Sequence, residues 1–381
     1  MARTFGSAVS IRHRAVGGAL ATLFLLGLLL LALAADGLVA MKATAAPANA
    51  ERHSVSGSHV AIYNLVGEVQ VEAGSGRDVE VFVGVGGPDG DQLRVEEGPI
   101  GGKQTLRVIY PSRKILYRAL GRGSSSNMNV AEDGTFNDRN GRAFVLPRRV
   151  TISGSGDGLE AHANLRIAVP SGQKVDVYLG AGRVNVSNVS GTLLVDVASA
   201  SVTSQNTQGR LTLDSGSGSL TVENAEGDIS LDTGSGSVEV VNIKGGTLHV
   251  DTGSGTIEGN ALEVDVLNLD TGSGSIDVSG VDASKVMLDT GSGSVRLSLD
   301  SDVDDLSVDT GSGDVTVYVP RTLGAEFAAE TGSGGISSSL PMEVVSKSRD
   351  SMRGRLGDGR GRVYLETGSG SIRLASNEGR R

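Results

Sequence analysis

The segment Leu231-Asp232-Thr233-Gly234-Ser235 has the form of an aspartic-protease loop, a hydrophobic residue followed by Asp-Thr-Gly-Ser. Asp-Thr-Gly-Ser-Gly begins again at Asp251, Asp270, Asp289 and Asp309. The protease chemistry needs two such loops face to face, so that two carboxylates share one proton. Evenly spaced copies would instead set their acids in a column along a stack, and a short repeat supplies no lobed barrel around them. The Gly-Ser-Gly cores suggest a phosphate cradle, but no Gly-Lys-Ser/Thr follows and no helix N-terminus is in prospect. A column of acids about 5 Å apart is electrostatically costly and could draw in Ca²⁺. Carboxylate spacing alone does not make a site, and the Gly-Gly-Xaa-Gly-Xaa-Asp calcium repeat of β-rolls is absent at its proper period. His13, His53, His59, His162 and His249 are not at metal-ligand spacing. Ser is too abundant for a Ser/His/Asp set to stand out. The expectation is therefore no catalytic, cofactor-binding or metal-binding residue.

Two further features invite chemistry. Thr233, Thr252, Thr271, Thr290 and Thr310 place one Thr in each repeat. Ice-binding solenoids use flat, doubled Thr rows, whereas these stand singly beside an acid at a glycine corner. Lys347, Arg349, Arg353, Arg355, Arg360 and Arg362 form a basic stretch. It reads as a solvated loop, with contact to an anionic envelope polymer or a lipid headgroup as the alternative.

The elements that would position these residues are strands. Of 381 residues, 56 are Gly and 12 are Tyr or Phe, with no Trp and no Cys. The core must therefore be aliphatic and thin, without disulfides or thiolate metal sites. A net charge of −10 disfavours a nucleic-acid partner. The spacing of acid-Thr/Ser-Gly-Ser-Gly from Asp214 through Glu366 is 18, 19, 19, 19, 20, 21 and 36 residues. Fainter turns fall at Tyr178 and Asp196. Each repeat carries two alternating apolar segments, such as Val238/Val240 after the glycines and Leu248/Val250 before the acid. A unit this short cannot close a core alone but can when stacked on copies of itself. The fold class read from this is all-β, a parallel β-solenoid of ~19-residue coils, with right-handed winding expected from the crossover preference. Glycine at the corners would accept positive φ and let coils approach, while the preceding Asp would accept hydrogen bonds from turn amides.

The chain is expected to divide into residues 1–50, an export signal or membrane anchor plus linker; 51–170, an irregular β region; and 171–376, the solenoid. The β region would carry a loop insertion at about 112–150 and cover the first coil. The last interval of the solenoid would be one coil plus an insertion at about 341–361. Arg3, Arg12 and Arg14 precede an uncharged run from Ala15 to Ala35. As a helix that run spans about 30 Å, a bilayer core, so an N-terminal apolar export or anchor helix is expected, cleaved or retained. The remainder would be exported.

Asn64-Leu65-Val66-Gly67-Glu68-Val69-Gln70-Val71, Ile167-Ala168-Val169-Pro170-Ser171-Gly172 and Gly180-Ala181-Gly182-Arg183-Val184-Asn185-Val186 add a further pattern. Together with the Thr-Gly-Ser-Gly turns and Gly357-Asp358-Gly359, they resemble the bacterial putative-adhesin family of Gly/Ser-rich β-strand repeats over roughly 55–376. The resemblance implies a β-solenoid at the cell envelope, with surface attachment or envelope-stress responses linked to some relatives and no defined catalytic residues. The expected function is a non-enzymatic envelope or surface scaffold and binding module. Its partners would be envelope polymers or another surface or membrane protein, with membrane contact through the N-terminal segment. The alternatives are an envelope-stress sensor partnering a membrane protein, and a β-helical polysaccharide-acting enzyme, which would need an acid/base cleft.

Overall fold

The structure, a computed structural model, describes residues 50–137 and 147–378. The expected N-terminal helix over Ala15–Ala35 lies outside the described residues, and no described helix is long and apolar enough to cross a membrane. Residues 46–381 form one compact unit. It is built almost wholly of strands, with two short 3₁₀ turns, Gly90–Gln92 and Arg118–Leu120.

The repeat period becomes the hydrogen-bonding register. Leu220–Thr233, Val238–Thr252, Ile257–Thr271 and Ile276–Thr290 pair in parallel, with Asp232 opposite Asp251, Asp251 opposite Asp270 and Asp270 opposite Asp289. Because i and i+2 face alike, the apolar positions fall into interior columns. Leu231, Val250, Leu269, Leu288, Val308 and Leu365 form one, all almost fully buried. Leu220, Val238, Ile257, Ile276, Val295, Val315 and Ile372 form another. Each such side chain contributes roughly 1.5–3 kcal/mol by leaving water, but only when a coil lies on each side.

Stacking extends back beyond the obvious repeats. His59–Gly74 pairs in parallel with Gln173–Ser187, Val60 opposite Val175 through Val71 opposite Val186. A regular coil thus begins at His59. Its outer edge is covered by Lys103–Ile109 on one half and His162–Pro170 on the other, so the N-terminal β region does close this end of the stack. The stretch read as a loop insertion at 112–150 contains a second sheet, Lys114–Leu116, Arg148–Ser153 and Ser125–Val130. Met128/Val130 and Val150/Ile152 alternate inward and are buried.

The far end departs from simple succession. Asp305–Thr310 pairs with Gly361–Thr367, and Ala325–Thr331 pairs with the opposite side of that strand. Likewise Val315–Val319 and Ile336–Ser338 flank Ile372–Ser376. The last coil in sequence is therefore inserted beneath the one before it. Residues 341–361, expected as a solvated insertion, form antiparallel strands: Ser351–Leu356 closes the exposed edge of Ala325–Thr331, and Glu343–Lys347 pairs outside it. An antiparallel cap removes the open parallel edge on which another chain could add.

Candidate functional site

The acids of the repeated corners stand in one column at the surface, ordered Asp214, Asp232, Asp251, Asp270, Asp289, Asp309, Glu366, Glu330, the two glutamates half-buried. Each neighbours the next along the stack, and no two face one another across a cleft. Partial burial, then the charge of Asp251, pushes the Asp270 carboxyl up; burial and Asp270 do the same to Asp289. Asp309 is raised by burial, then by Glu366 and Asp289.

The neighbouring Thr points the other way. Thr233, Thr252, Thr271, Thr290 and Thr310 are fully buried. The Thr271 hydroxyl donates to the Gly255 carbonyl of the preceding coil at 2.9 Å and accepts from the Gly274 amide of its own corner at 3.0 Å. Thr252 and Thr290 repeat both bonds. The side-chain acceptor for the turn amide is therefore Thr rather than the expected Asp.

The corner glycines also act differently from expectation. None has positive φ. A Cβ at Gly274 would lie 1.7 Å from the Gly255 carbonyl oxygen, and at Gly293 1.8 Å from that of Gly274. Close approach of stacked backbones excludes a side chain there. The left-handed conformation occurs at a different bend, at Asn188, Asn206, Asn224 and Asn242 with φ of 53–57°, continued by Ala261 at 55° and Gly280 at 65°. Asn206 Nδ2 donates to Asn188 Oδ1 at 3.1 Å and Asn242 Nδ2 to Asn224 Oδ1 at 2.7 Å. This ladder was missed in the sequence, although its 18-residue spacing is present there. It borders a polar surface groove of about 330 Å³.

The histidines are dispersed. His53 meets Glu97 at 2.7 Å, and His249 is half-buried with Asn268 3.1 Å from its Nδ1. Among the described residues no group of three His, Cys, Asp or Glu side chains could hold a metal ion. His59 Nε2 and Lys103 Nζ both contact Asp176 Oδ2, at 2.8 and 2.9 Å. Burial alone would depress the Lys103 ammonium, but Asp176 and the Tyr178 hydroxyl more than offset it and hold the group well above its ordinary value. This buried set ties the covering strand Lys103–Ile109 to the second coil, beside the stacked rings of Tyr63 and Tyr178.

The basic stretch is largely neutralised within the fold. Arg353 pairs with Glu330 at 3.0 Å, Arg362 with Asp305 at 3.4 Å, Arg355 with Glu326 at 3.9 Å and Arg360 with Asp358 at 2.6 Å.

One hollow was not foreseen. Between the Arg118–Leu120 turn and the corners of the first coils lies a cleft of about 220 Å³, lined by Tyr117, Glu68, Arg183 and three serines. Its walls come from segments more than 100 residues apart, so no local motif could reveal it.

Residues 162–375 match the Toastrack DUF4097 family. The chain belongs to that family. The match covers more than half of the sequence and bears out the resemblance drawn from the glycine-rich repeats. No curated protein matches the sequence. Among solved structures, a "putative cell adhesion protein" from Clostridium sporogenes is similar at 10% identity, covering 86% of this chain and 100% of that chain with a TM-score of 0.22. So loose a superposition carries no argument about this Toastrack chain.

Proposed function

We propose that this Toastrack protein is an exported, non-enzymatic β-solenoid of the cell envelope or surface, wound right-handed, acting as an adhesin-like scaffold and binding module. One observation carries the scaffold reading. In each repeated corner the Thr hydroxyl is engaged by backbone of two coils, and the acids are strung along a column instead of paired. The Thr of a loop that elsewhere performs acid chemistry here bonds one coil to the next. The basic N-terminus and the apolar run Ala15–Ala35 support export, with the segment either cleaved or kept as an anchor.

Cell fractionation with N-terminal sequencing of the mature chain tests this reading. Recovery with envelope or medium is the expected outcome; retention in the cytosol would sink it. Deleting the gene and measuring surface attachment beside a stress reporter separates a scaffold from an envelope-stress partner. A scaffold changes attachment and leaves the reporter unmoved. Release of saccharide from envelope polysaccharide by the purified protein would instead mark it as an enzyme.

A further inference from the structure

Lys103 and Asp176 are buried against one another where the covering strand meets the second coil. Lys103 is 5% exposed and Asp176 4%. Among the described residues this is the one ion pair with both partners so deeply covered. Taking two opposite charges out of water costs more than their attraction readily returns, so an ion pair at this depth calls for a further reason. The surroundings are aromatic. The Tyr178 ring centroid lies 5.5 Å from Lys103 Nζ, Tyr63 stacks on Tyr178 at 4.5 Å, and Phe136 meets both rings edge-on. Nζ lies 2.9 Å from Asp176 Oδ2, and His59 Nε2 touches the same oxygen at 2.8 Å. Since a carboxylate only accepts, Nε2 carries the proton in that contact. An amine, a carboxyl and a proton donor thus converge at one buried point from three elements, Lys103–Ile109, Gln173–Ser187 and His59–Gly74.

We infer that Lys103 and Asp176 condense into an isopeptide bond, an amide joining Nζ to Cγ, with His59 as the proton donor. An ammonium and a carboxylate give an amide and one water, so the reaction needs no oxidant, nucleotide or other co-reactant. Nζ first passes a proton to Oδ2, turning the ion pair into a neutral amine and acid. Burial works against the ammonium while Asp176 holds it; the transfer keeps that proton inside the pair, and a buried site favours the uncharged forms. The amine lone pair then forms the Nζ–Cγ bond. The Cγ–Oδ2 bond breaks, its electron pair leaving with Oδ2, which takes the His59 Nε2 proton and departs as water. The second proton shed by Nζ restores the imidazole. Holding the partners in contact stands in for a very high concentration, on the order of 10⁵–10⁸ M for well-oriented groups. The amide removes both buried charges and clamps the covering strand to the second coil, so the cover cannot peel from this end of the stack.

The test is mass spectrometry of the purified full-length chain, intact and after tryptic digestion. A linked lysine resists trypsin, so the peptide Val95–Arg107 should appear joined to Val175–Arg183, lighter by one water than the two together. Recovery of these peptides only apart would overturn the bond. Lys103→Arg keeps the charge beside Asp176 but never supplies a neutral amine. It should fold, show an intact mass with no water missing, and melt at a lower temperature than the parent. A water deficit that persists in this variant would place the loss elsewhere and sink the proposal. His59→Gln leaves both bonding partners in place. In chain freshly made by cell-free translation it should slow linkage about a hundred-fold, the loss of one general acid; linkage at the parent's rate would overturn the part given to His59. These readouts rest on two internal peptides, so they fail independently of the export and binding-module readings.

Discussion

The corner threonine serves two coils through a single hydroxyl, and this explains why the repeat keeps Asp-Thr-Gly-Ser-Gly without needing its acid for chemistry. Thr271→Val preserves shape but strands the Gly255 carbonyl and the Gly274 amide in a dry interior. A loss of about 2 kcal/mol is expected from leaving such groups unpaired, read by urea denaturation. Thr271→Ser should retain most of the stability, since Ser215 already fills the equivalent place, its hydroxyl 3.1 Å from the Ala200 carbonyl. Equal losses for Val and Ser would show that packing, not the hydroxyl, matters. Ala261 makes the opposite case. It holds φ of 55° where preceding coils use Asn and the next uses Gly, a conformation that strains a Cβ by about 1 kcal/mol. Ala261→Gly should therefore raise stability by about that amount, although Gly usually weakens a strand. The repeated Thr was plain in the sequence, but its inward direction was not, because Thr beside Asp at a glycine turn reads as surface. The Asn ladder was also present at an even spacing, hidden because Asn is common in any loop.

At the scale of the element, the alternating apolar pairs were enough to place strands and to set their parallel register, since shifting a strand by one residue would turn its Leu and Val outward. The same register forces Asp251, Asp270, Asp289 and Asp309 into one row, and its cost has a definite pH dependence. A carboxyl whose folded pKa is raised holds its proton more tightly folded than unfolded. The penalty is fully present above the folded value and is relieved as pH falls through the raised pKa toward the unfolded one. Neutralising Asp270→Asn and Asp289→Asn together should thus stabilise the chain at pH 7 by roughly 0.5–1 kcal/mol, the scale of like charges opposite one another on a sheet. The gain should shrink with added salt and vanish once the acids are protonated in the parent. Melting curves across pH and ionic strength give the check. A gain that persists at low pH would assign the effect to packing. Shorter signals misled: Met128/Val130 and Val150/Ile152 each show a single alternation, too little to mark the small sheet inside an otherwise polar stretch.

For the stack as a whole, succession along the chain does not dictate succession in space. The final interval of 36 residues announced an extra segment, but nothing local states on which side of its neighbour the returning coil settles. Near-identical coils are interchangeable as far as apolar columns and corner bonds are concerned. The deciding contacts are those of the cap: Ser351–Leu356 runs antiparallel to Ala325–Thr331 and closes its outer edge, leaving Gly361–Thr367 the position beneath. Thr331 confirms the order, donating to the Gly370 carbonyl at 2.8 Å, while Thr367 donates to that of Gly313 at 2.8 Å. Because the chain contains no Cys, engineered disulfides can read this order without interference. Ser307 lies opposite Tyr364, and Tyr364 opposite Ala328. The double substitution Ser307→Cys with Tyr364→Cys should therefore oxidise readily, as neighbouring strands lie about 4.8 Å apart. Ser307→Cys with Ala328→Cys, the pair that simple stacking would bring together, should remain reduced. Two strand spacings place those positions about 9.6 Å apart, beyond the ~7 Å a disulfide can bridge. Mass spectrometry of the oxidised proteins decides between the orders: a bond between 307 and 328 would mean that the last coil lies outside its predecessor and that the cap does not direct it inward.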